Sequence, residues 1–470
     1  MVGIMAYGAY VPFHRLQRKA LNEAHGKPGG KGERSVANYD EDSVSMAVEA
    51  AWNALWKYDT KQVGTVYLGT TTNPYAEKAS STTIAAALDM PPQVRTADFG
   101  DSLRAGSSAL LAALDAAVST GKPALALAGD CRIGGAGGGN ESSFGDGAAA
   151  FLFGTGDLVA RVLATASVAN EIVDNFRRHE DVMVRNWEER FGIVQGVNRA
   201  IPAAVKQALQ QAGLKGEQVD RFVCASPSSK ATQAVAKMCG IRPEAIEDAL
   251  EATVGQAGAA HGPMMLTGAL EKAKAGDKIL FVSYAEGADA LLLEATPGID
   301  AWRPKRHLSD LIERKRNDIR YTDYLRWRNL LDFEPPRRPE MKRPAATAMF
   351  RNYHQNLGLY GSRCTACGAL SYPKQRVCWK CRAKDKTTDY SFRTAKGKIR
   401  TFSADHLAYT PAPPELLVVI DFEEGGRLMC NMADVDLKNV KVGEPVEMTF
   451  RRLYEAGGIF NYAWKAKAAG

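Results

Sequence analysis

The first 300 residues contain an internal repeat, and this feature constrains the fold more than any other. Residues 106–128 hold an Ala-rich apolar helix, a glycine and a continuous apolar strand, and residues 261–283 show the same pattern at an offset of 155. A glycine after each helix is a typical C-terminal cap, and a strand that is apolar throughout indicates a sheet covered on both faces. The repeat therefore predicts a duplicated α/β fold with halves at about 1–160 and 161–300.

The repeat also predicts where a site would form. The two central helices are equivalent in such a duplication, so their N-termini are expected to meet. The first helix follows Leu103, and His261 starts the second. A second pair of matching segments, 146–153 and 286–293, extends the repeat beyond these helices. We expect the two helix starts to line a common site, where backbone N–H groups can stabilise negative charge.

Composition and charge exclude several classes of function. The 470 residues are 45% hydrophobic and 24% charged, as expected for a soluble protein of two or three domains. The net charge is +7, but the basic residues concentrate in 303–343 without a recognition motif. We therefore expect a connecting arm at 301–350, or a contact for phosphate groups, and no nucleic acid. The sequence has no apolar run of about 18 residues and no signal peptide, so no membrane association is expected.

Four of the eight cysteines form two CxxC pairs, Cys364 with Cys367 and Cys378 with Cys381. Two such pairs at this spacing are typical of a tetrahedral zinc site. Four thiolate ligands leave no open position, so the zinc is expected to be structural. Two redox-active pairs are the alternative. The other cysteines are scattered, which fits a reducing, cytoplasmic environment.

The C-terminal part of the chain is expected to be a small β domain. After a zinc ribbon at 351–385, short alternating segments separated by turns run through 386–470. This pattern predicts a five-stranded barrel of the OB-fold type, and its spacing also fits a small sandwich.

Several motifs of the N-terminal region are similar to those of one known family. They are Ile4–Pro12 (IMAYGAYVP), Tyr39–Ser43 (YDEDS), Asn73–Ala76 (NPYA) and the pair Gly276-Asp277. By these motifs the first 300 residues resemble the archaeal-type hydroxymethylglutaryl-CoA synthase branch of the thiolase superfamily, whose fold is a duplicated αβαβα arrangement. Residues 351–470 resemble the zinc-ribbon and OB-fold module that accompanies thiolase-type proteins, usually as a separate chain that binds coenzyme A (CoA) or bridges subunits. The resemblance implies CoA or acyl-CoA as a ligand and a homodimer or higher homo-oligomer through the α/β domain.

The resemblance implies the fold but not the family's chemistry. The cysteine of the family's nucleophile helix falls on Leu103, the general-base Glu on Thr71, the active-site His on Ala225 and an active-site Asn on Gln256. Lys230 keeps the residue type of a CoA-phosphate contact. A leucine forms no acyl-enzyme, so neither the usual acyl-thioester route nor hydroxymethylglutaryl-CoA synthase activity is expected.

Two functions remain open. In the first, the chain is a CoA-dependent acyltransferase or C–C bond-cleaving enzyme for a β-keto acid or β-ketoacyl substrate. His261 deprotonates the CoA thiol, which attacks the ketone directly, and Gln256 lies in the same site. In the second, the chain is a catalytically inactive scaffold that delivers CoA substrates to a thiolase partner. Cys131 and Cys224 are weaker candidates for a nucleophile, and the glycine-rich segment 134–140 is either a phosphate loop or a loop beside the pocket.

Overall fold

The chain divides into two compact units. We call them the N-terminal unit (residues 1–37 and 42–321) and the C-terminal unit (residues 38–41 and from 322 onward). The computed structural model describes residues 1–334, 337, 339 and 341–469. The predicted arm at 301–350 lies partly outside the described residues, at positions 335, 336, 338 and 340.

The strands and helices are as follows. The strands are β1 (Gly3–Tyr10), β2 (His14–Gln17), β3 (Glu33–Val36), β4 (Thr65–Gly69), β5 (Arg95–Phe99), β6 (Ala124–Asp130), β7 (Gly147–Gly154), β8 (Ala160–Ala169), β9 (Asn175–Phe176), β10 (Arg185–Asn186), β11 (Arg221–Ala225), β12 (Lys278–Ala285), β13 (Gly287–Ala295), β14 (Tyr360–Cys364), β15 (Leu370–Ser371), β16 (Thr387–Ser391), β17 (Gly397–Asp405), β18 (Glu415–Phe422), β19 (Arg427–Asn431), β20 (Pro445–Ala456) and β21 (Ile459–Ala468). The helices are α1 (Arg18–Ala24), α2 (Ser43–Ala54), α3 (Ser81–Ala87), α4 (Ala105–Thr120), α5 (Gly139–Ser143), α6 (Glu189–Phe191), α7 (Asn198–Ala212), α8 (Ser229–Met238), α9 (His261–Lys272), α10 (Gly298–Ala301), α11 (Leu308–Glu313), α12 (Tyr321–Trp327), α13 (Ala346–Arg351) and α14 (Tyr353–Gly358). Among the described helices, none is long and apolar enough to cross a membrane.

One nine-stranded sheet organises the N-terminal unit, in the order β11-β12-β13-β8-β1-β7-β6-β4-β5. In the first half the antiparallel pair β6–β7 lies between β1 and β4, and β4 is parallel to β6. In the second half the antiparallel pair β12–β13 lies between β8 and β11, and β11 is parallel to β12. The halves join through β1 and β8. A parallel bridge between Phe222 and Ile246 takes the place in the second half that β5 has in the first. This symmetry confirms the predicted duplicated, thiolase-like α/β fold.

Strand residues alternate between two cores, one on each face of the sheet. Val223 in β11 and Phe281 in β12 belong to a core that also holds residues of α4 and α9, together with strands of both halves. Their neighbours Cys224 and Val282 belong to a second core with α7 and α8. Successive strand residues point to opposite faces. Both faces are therefore covered, which explains why these strands lack polar alternation.

The C-terminal unit contains a five-stranded sheet in the order β19-β18-β17-β20-β21. A bridge between Met432, just after β19, and Ala466 in β21 joins the two edge strands. The N–H of Ala433 also donates to the carbonyl of Ala466, at 2.8 Å. Joining the edges closes the sheet into a barrel, which confirms the OB-like fold over a sandwich.

A buried cluster of charges stabilises this unit. The guanidinium of Arg451 is fully buried and contacts Glu41 and Asp434 at 2.6 Å each, and Asp40 at 3.4 Å. The ammonium of Lys465 lies 2.8 Å from the second carboxylate oxygen of Asp40. Because every charge in the cluster has an opposite charge beside it, removing any one partner would leave an uncompensated buried ion. The cluster thus fixes residues 38–41 against β20 and β21.

The four cysteines of the CxxC pairs converge in the C-terminal unit. All four Sγ atoms lie within 4.8 Å of one another. The Sγ atoms of Cys364 and Cys381 are 3.7 Å apart, and those of Cys367 and Cys378 are 3.6 Å apart. Four sulfurs on a tetrahedron with Zn–S bonds of about 2.3 Å are about 3.8 Å apart. The donor set and the spacing therefore fit one structural zinc ion.

We predict one zinc per chain, and a substitution Cys364→Ser should remove it. Because zinc adds folding free energy to small domains, the variant should also unfold its C-terminal unit at a lower temperature. Elemental analysis and calorimetry measure both effects. Cys430→Ser is the matched control, since Cys430 lies in the same unit outside the cluster and should retain the metal. A zinc-free wild-type protein would contradict the prediction.

Candidate functional site

A cavity of about 960 Å³ in the N-terminal unit brings the sequence-predicted site residues together. Leu103, Thr71, Ala225, Gln256 and His261 all line it. Thr71 and Leu103 lie in the loops after β4 and β5, and Ala225 is the last residue of β11. Gln256 lies in the segment before α9, and His261 is the first residue of that helix. The carboxyl ends of strands and the N-termini of two helices therefore surround one space. Its volume is suited to a small-molecule ligand.

The starts of α4 and α9 are in contact, as the repeat predicts. A Cβ atom on Gly106, in the first turn of α4, would overlap the carbonyl oxygen of Ala259, just before α9. Only glycine allows the two backbones to approach this closely. Leu103 lies two residues before the first residue of α4 and lines the cavity.

Asp130, at the end of β6, connects the parts of the site. Its buried carboxylate accepts hydrogen bonds from the hydroxyls of Thr70 at 3.0 Å and Thr72 at 2.7 Å. It also accepts from both the backbone N–H and the hydroxyl of Thr71, at 2.9 and 2.8 Å. The N–H of Ala259 donates to the same carboxylate at 2.8 Å. One side chain thus holds the loop after β4 against the start of α9.

Gly258 is required for this arrangement. Its φ is +59°, and a Cβ there would overlap Oδ2 of Asp130. Any other residue would adopt an unfavourable positive φ, and its Cβ would also overlap the carboxylate. The sequence did not predict the role of Asp130, although three consecutive threonines after β4 and an acidic residue at the end of β6, the strand paired with β4, were visible signals.

His261 is almost fully buried and neutral. Burial, with a further contribution from the positive charge of Arg132, lowers its pKa to about 4. The N–H of Ala257 donates to Nδ1 of His261 at 3.4 Å. A hydrogen bond with the backbone of Gly255 opposes this lowering of the pKa. A neutral imidazole has one N–H donor and one acceptor nitrogen, and His261 lines the cavity with both types of group.

Gln256 is held by its own amide. Its Nε2 donates to the carbonyl of Pro227 at 2.8 Å, and its backbone N–H donates to the carbonyl of Ser143 at 2.8 Å. Gln256 therefore fixes the loop after β11 to the cavity wall. Lys230, in the first turn of α8, is exposed and does not line the cavity.

A group of acidic residues on the cavity wall was not predicted as part of the site. The hydroxyl of Ser102 donates to the carboxylate of Glu286 at 2.6 Å. Asp174 has a raised pKa because it is buried, with further contributions from the charges of Glu286 and Glu189. Glu286 occupies the repeat position of Asp146, which was the only sequence signal for it.

The two cysteines considered as nucleophiles are poorly placed. Cys224 is buried in the second core, and burial raises the pKa of its thiol to about 12. Cys131 is not among the residues that line the cavity. The glycine-rich loop lies beside the cavity, which Gly139 lines. The N–H of Gly137 in this loop donates to the carboxylate of Glu141 at 2.6 Å. This N–H is therefore not available to bind a phosphate.

Three family models match the chain. Residues 209–293 match the C-terminal region of 3-oxoacyl-[acyl-carrier-protein] synthase III. Residues 357–387 match the rubredoxin-like zinc ribbon domain of ChsH2, and residues 393–451 match its C-terminal OB-fold domain.

Curated relatives match a larger part of the chain. Hydroxymethylglutaryl-CoA synthase of Methanopyrus kandleri is 32% identical over 346 residues, which cover 71% of this chain and 98% of the relative. The synthase of Pyrococcus horikoshii is 32% identical over 340 residues, covering 71% and 94%. The structure of MvaS in complex with 3-hydroxy-3-methylglutaryl coenzyme A has a TM-score of 0.61 at 22% identity, covering 73% of this chain and 94% of that one. The N-terminal fold is thus that of the thiolase superfamily. The chain belongs to the hydroxymethylglutaryl-CoA synthase family and carries ChsH2-type zinc ribbon and OB-fold domains in addition.

We predict that Asp130→Asn destabilises the protein by about 3 kcal/mol. Either orientation of the amide would point its NH₂ group at a backbone N–H, of Thr71 or of Ala259, and leave buried donors unpaired. Urea unfolding followed by circular dichroism measures the loss. Asp115→Asn, an exposed change in α4, is the control and should alter stability by less than about 0.5 kcal/mol. Equal stability of the two variants would contradict the role given to Asp130.

We predict that His261 makes the protein less stable as the pH falls from 6.5 to 4. In this window the unfolded chain, with a histidine pKa of about 6.5, binds a proton that the folded protein excludes, so stability is complete above the window and falls within it. The loss should reach about 3 kcal/mol at pH 4. Urea unfolding at several pH values should show a smaller loss in His261→Gln. His179→Gln, an exposed residue of the cavity rim, should behave as the wild type.

Proposed function

We propose that the N-terminal unit is a CoA-dependent acyltransferase that cleaves or forms a C–C bond in a β-keto acid or β-ketoacyl substrate. The CoA thiol attacks the substrate ketone directly, without a cysteine acyl-enzyme. One observation carries the proposal. The cavity retains hydrogen-bonding and acid–base groups, His261 and Glu286, around Leu103 at the start of α4, where the family's nucleophile would stand.

Glu286 is the group suited to move a proton. In the cleavage direction its carboxylate accepts the proton of the CoA thiol, and the sulfur forms a bond to the ketone carbon. The C–C bond then breaks with its electron pair on the α-carbon, and Glu286 returns the proton to that carbon. Protons and electrons balance without a redox partner. The hydroxyl of Ser102 orients the carboxylate.

His261 is assigned a different role from the expected one. With a pKa of about 4 it is a weak base for a thiol, and its Nδ1 already accepts the N–H of Ala257. The N–H of its neutral imidazole is suited to donate to the oxyanion that forms when the ketone is attacked. The N-termini of α4 and α9 add positive electrostatic potential at the same place.

Gln256 and Lys230 are assigned roles in positioning and binding, and neither takes part in making or breaking bonds. We assign Gln256 as a positioning residue, because its side-chain amide holds the carbonyl of Pro227. Lys230 is exposed near that loop, which suits a contact with the phosphates of CoA. Relatives with this fold include an HMG-CoA synthase complexed with CoA, which supports CoA as the substrate.

The C-terminal unit supports a second function. Its match to the ChsH2 zinc ribbon and OB-fold domains is consistent with a scaffold that delivers CoA substrates to a thiolase partner. In that case the cavity would bind substrate without converting it.

We predict that Glu286→Gln and His261→Ala each lower turnover by roughly 10² to 10⁴, since each removes one group that acts in the transition state. The dissociation constant for CoA should stay nearly unchanged. Turnover of the purified chain with CoA and a panel of β-keto acids, followed by mass spectrometry, measures both. Glu189→Gln is the control, because Glu189 is an exposed acid on the same cavity.

Further outcomes separate the two functions. Thiol-alkylating reagents should leave activity standing, and no acyl group should remain on the protein. A stable acyl adduct on Cys131 or Cys224 would contradict direct attack. If the wild type is inert until a thiolase is added, and His261→Ala then changes nothing, the scaffold function is correct.

A further inference from the structure

Arg132 is a buried cation that forms no direct ion pair with a described residue. It lies two residues after the end of β6, lines the cavity and is 5% exposed. Its guanidinium lies 4.0 Å from the centre of the Phe144 ring. Its Nε is enclosed and has no hydrogen-bond partner, and the guanidinium forms no ion pair, with any residue that the structure describes.

The charges of two carboxylates, Asp130 and Asp146, act on Arg132 and raise its pKa, but neither carboxylate forms an ion pair with the guanidinium. Asp130 accepts hydrogen bonds from the threonine loop and from Ala259. Asp146 accepts the backbone N–H of Ala37 at 2.7 Å. A second cation, Arg177, lines the same cavity and adds positive charge instead of neutralising it. Burial is the main cause that lowers the pKa of Arg132, to about 10.

A buried guanidinium that lines a cavity without an ion pair is suited to bind an anion from that cavity. Buried charges in proteins are paired or bind a ligand, because removing an ion from water costs several kcal/mol. The planar guanidinium is the side chain best matched to a carboxylate, which it binds through two parallel hydrogen bonds. Since the charge of Arg132 also acts on His261, the anion would lie close to the reacting carbonyl.

We propose that Arg132 binds a carboxylate carried by the acyl group of the substrate. The substrate class would then be dicarboxylic acyl thioesters, with a free carboxylate a few bonds from the reacting carbon. The inference rests on the proposed function, because it assumes that the acyl group of a CoA thioester enters this cavity. Phosphates of CoA are less suitable ligands for Arg132, since exposed cations are available to them at the surface.

The test compares binding of two four-carbon acyl thioesters, succinyl-CoA and butyryl-CoA, by calorimetry. The wild type should bind succinyl-CoA at least about tenfold more tightly, as expected for a charge-assisted hydrogen bond. Arg132→Met should lose this preference while its affinity for butyryl-CoA stays the same. Arg178→Met is the matched control, because Arg178 also lines the cavity but is exposed and paired with Asp181 at 3.0 Å. It should keep the preference.

A second measurement separates ligand binding from a structural role. Methionine keeps an unbranched side chain as far as the ε position and carries no charge, so Arg132→Met without ligand should melt at the same temperature as the wild type or higher. A lower melting temperature would mean that Arg132 supports the fold, and it would overturn the inference. So would equal affinity of the wild type for the two thioesters.

Failure of the proposed function gives a different result. If CoA and both thioesters fail to bind, the CoA-dependent function is wrong, and free succinate and butyrate are titrated instead. Preference for succinate that is lost in Arg132→Met would still support the carboxylate site. Equal affinity of the wild type for free succinate and free butyrate would overturn the carboxylate site as well.

Discussion

The hydrogen bonds to Asp130 are the interaction on which the site depends. Without them the loop after β4 and the start of α9 would have no common anchor, because these elements belong to opposite halves of the repeat. A buried carboxylate is an expensive group, and it is tolerated here since backbone and hydroxyl donors surround it. Duplication brings two helix starts together, and Asp130 holds one of them, the start of α9, to the loop after β4.

Much of the fold could be predicted from the sequence because its signals are local. Helix, glycine and apolar strand recur as contiguous segments, and the CxxC pairs carry their own geometry. The alternating segments of the C-terminal part fitted both a barrel and a sandwich, because alternation does not show whether a sheet closes on itself. The bridge from Met432 to Ala466 closes the sheet, and it joins segments too far apart in the chain to be recognised as a pair. The contact between Ser102 and Glu286 could not be predicted either, because the two residues are 184 positions apart in the chain.

The sequence predicts that Leu103, Gln256 and His261 belong to one site, and the roles of these residues stay predictions. Leu103, Gln256 and His261 do line one cavity, which the repeat and the family likeness both indicated. Burial cannot be read from the sequence, and burial is the main cause that lowers the pKa of both His261 and Arg132. Residue types show which groups can titrate, but their pKa values depend on burial and on neighbouring charges, which only the folded structure shows.

The charge cluster around Arg451 has a consequence for how the chain matures. Asp40 and Arg451 are 411 positions apart, so during synthesis the two carboxylates at 40 and 41 leave the ribosome long before their cation exists. The C-terminal unit is therefore completed last and uses a piece of the earliest chain. A truncated product that ends before β20 would lack the partner for these acids and leave the remaining barrel strands without an edge to close on.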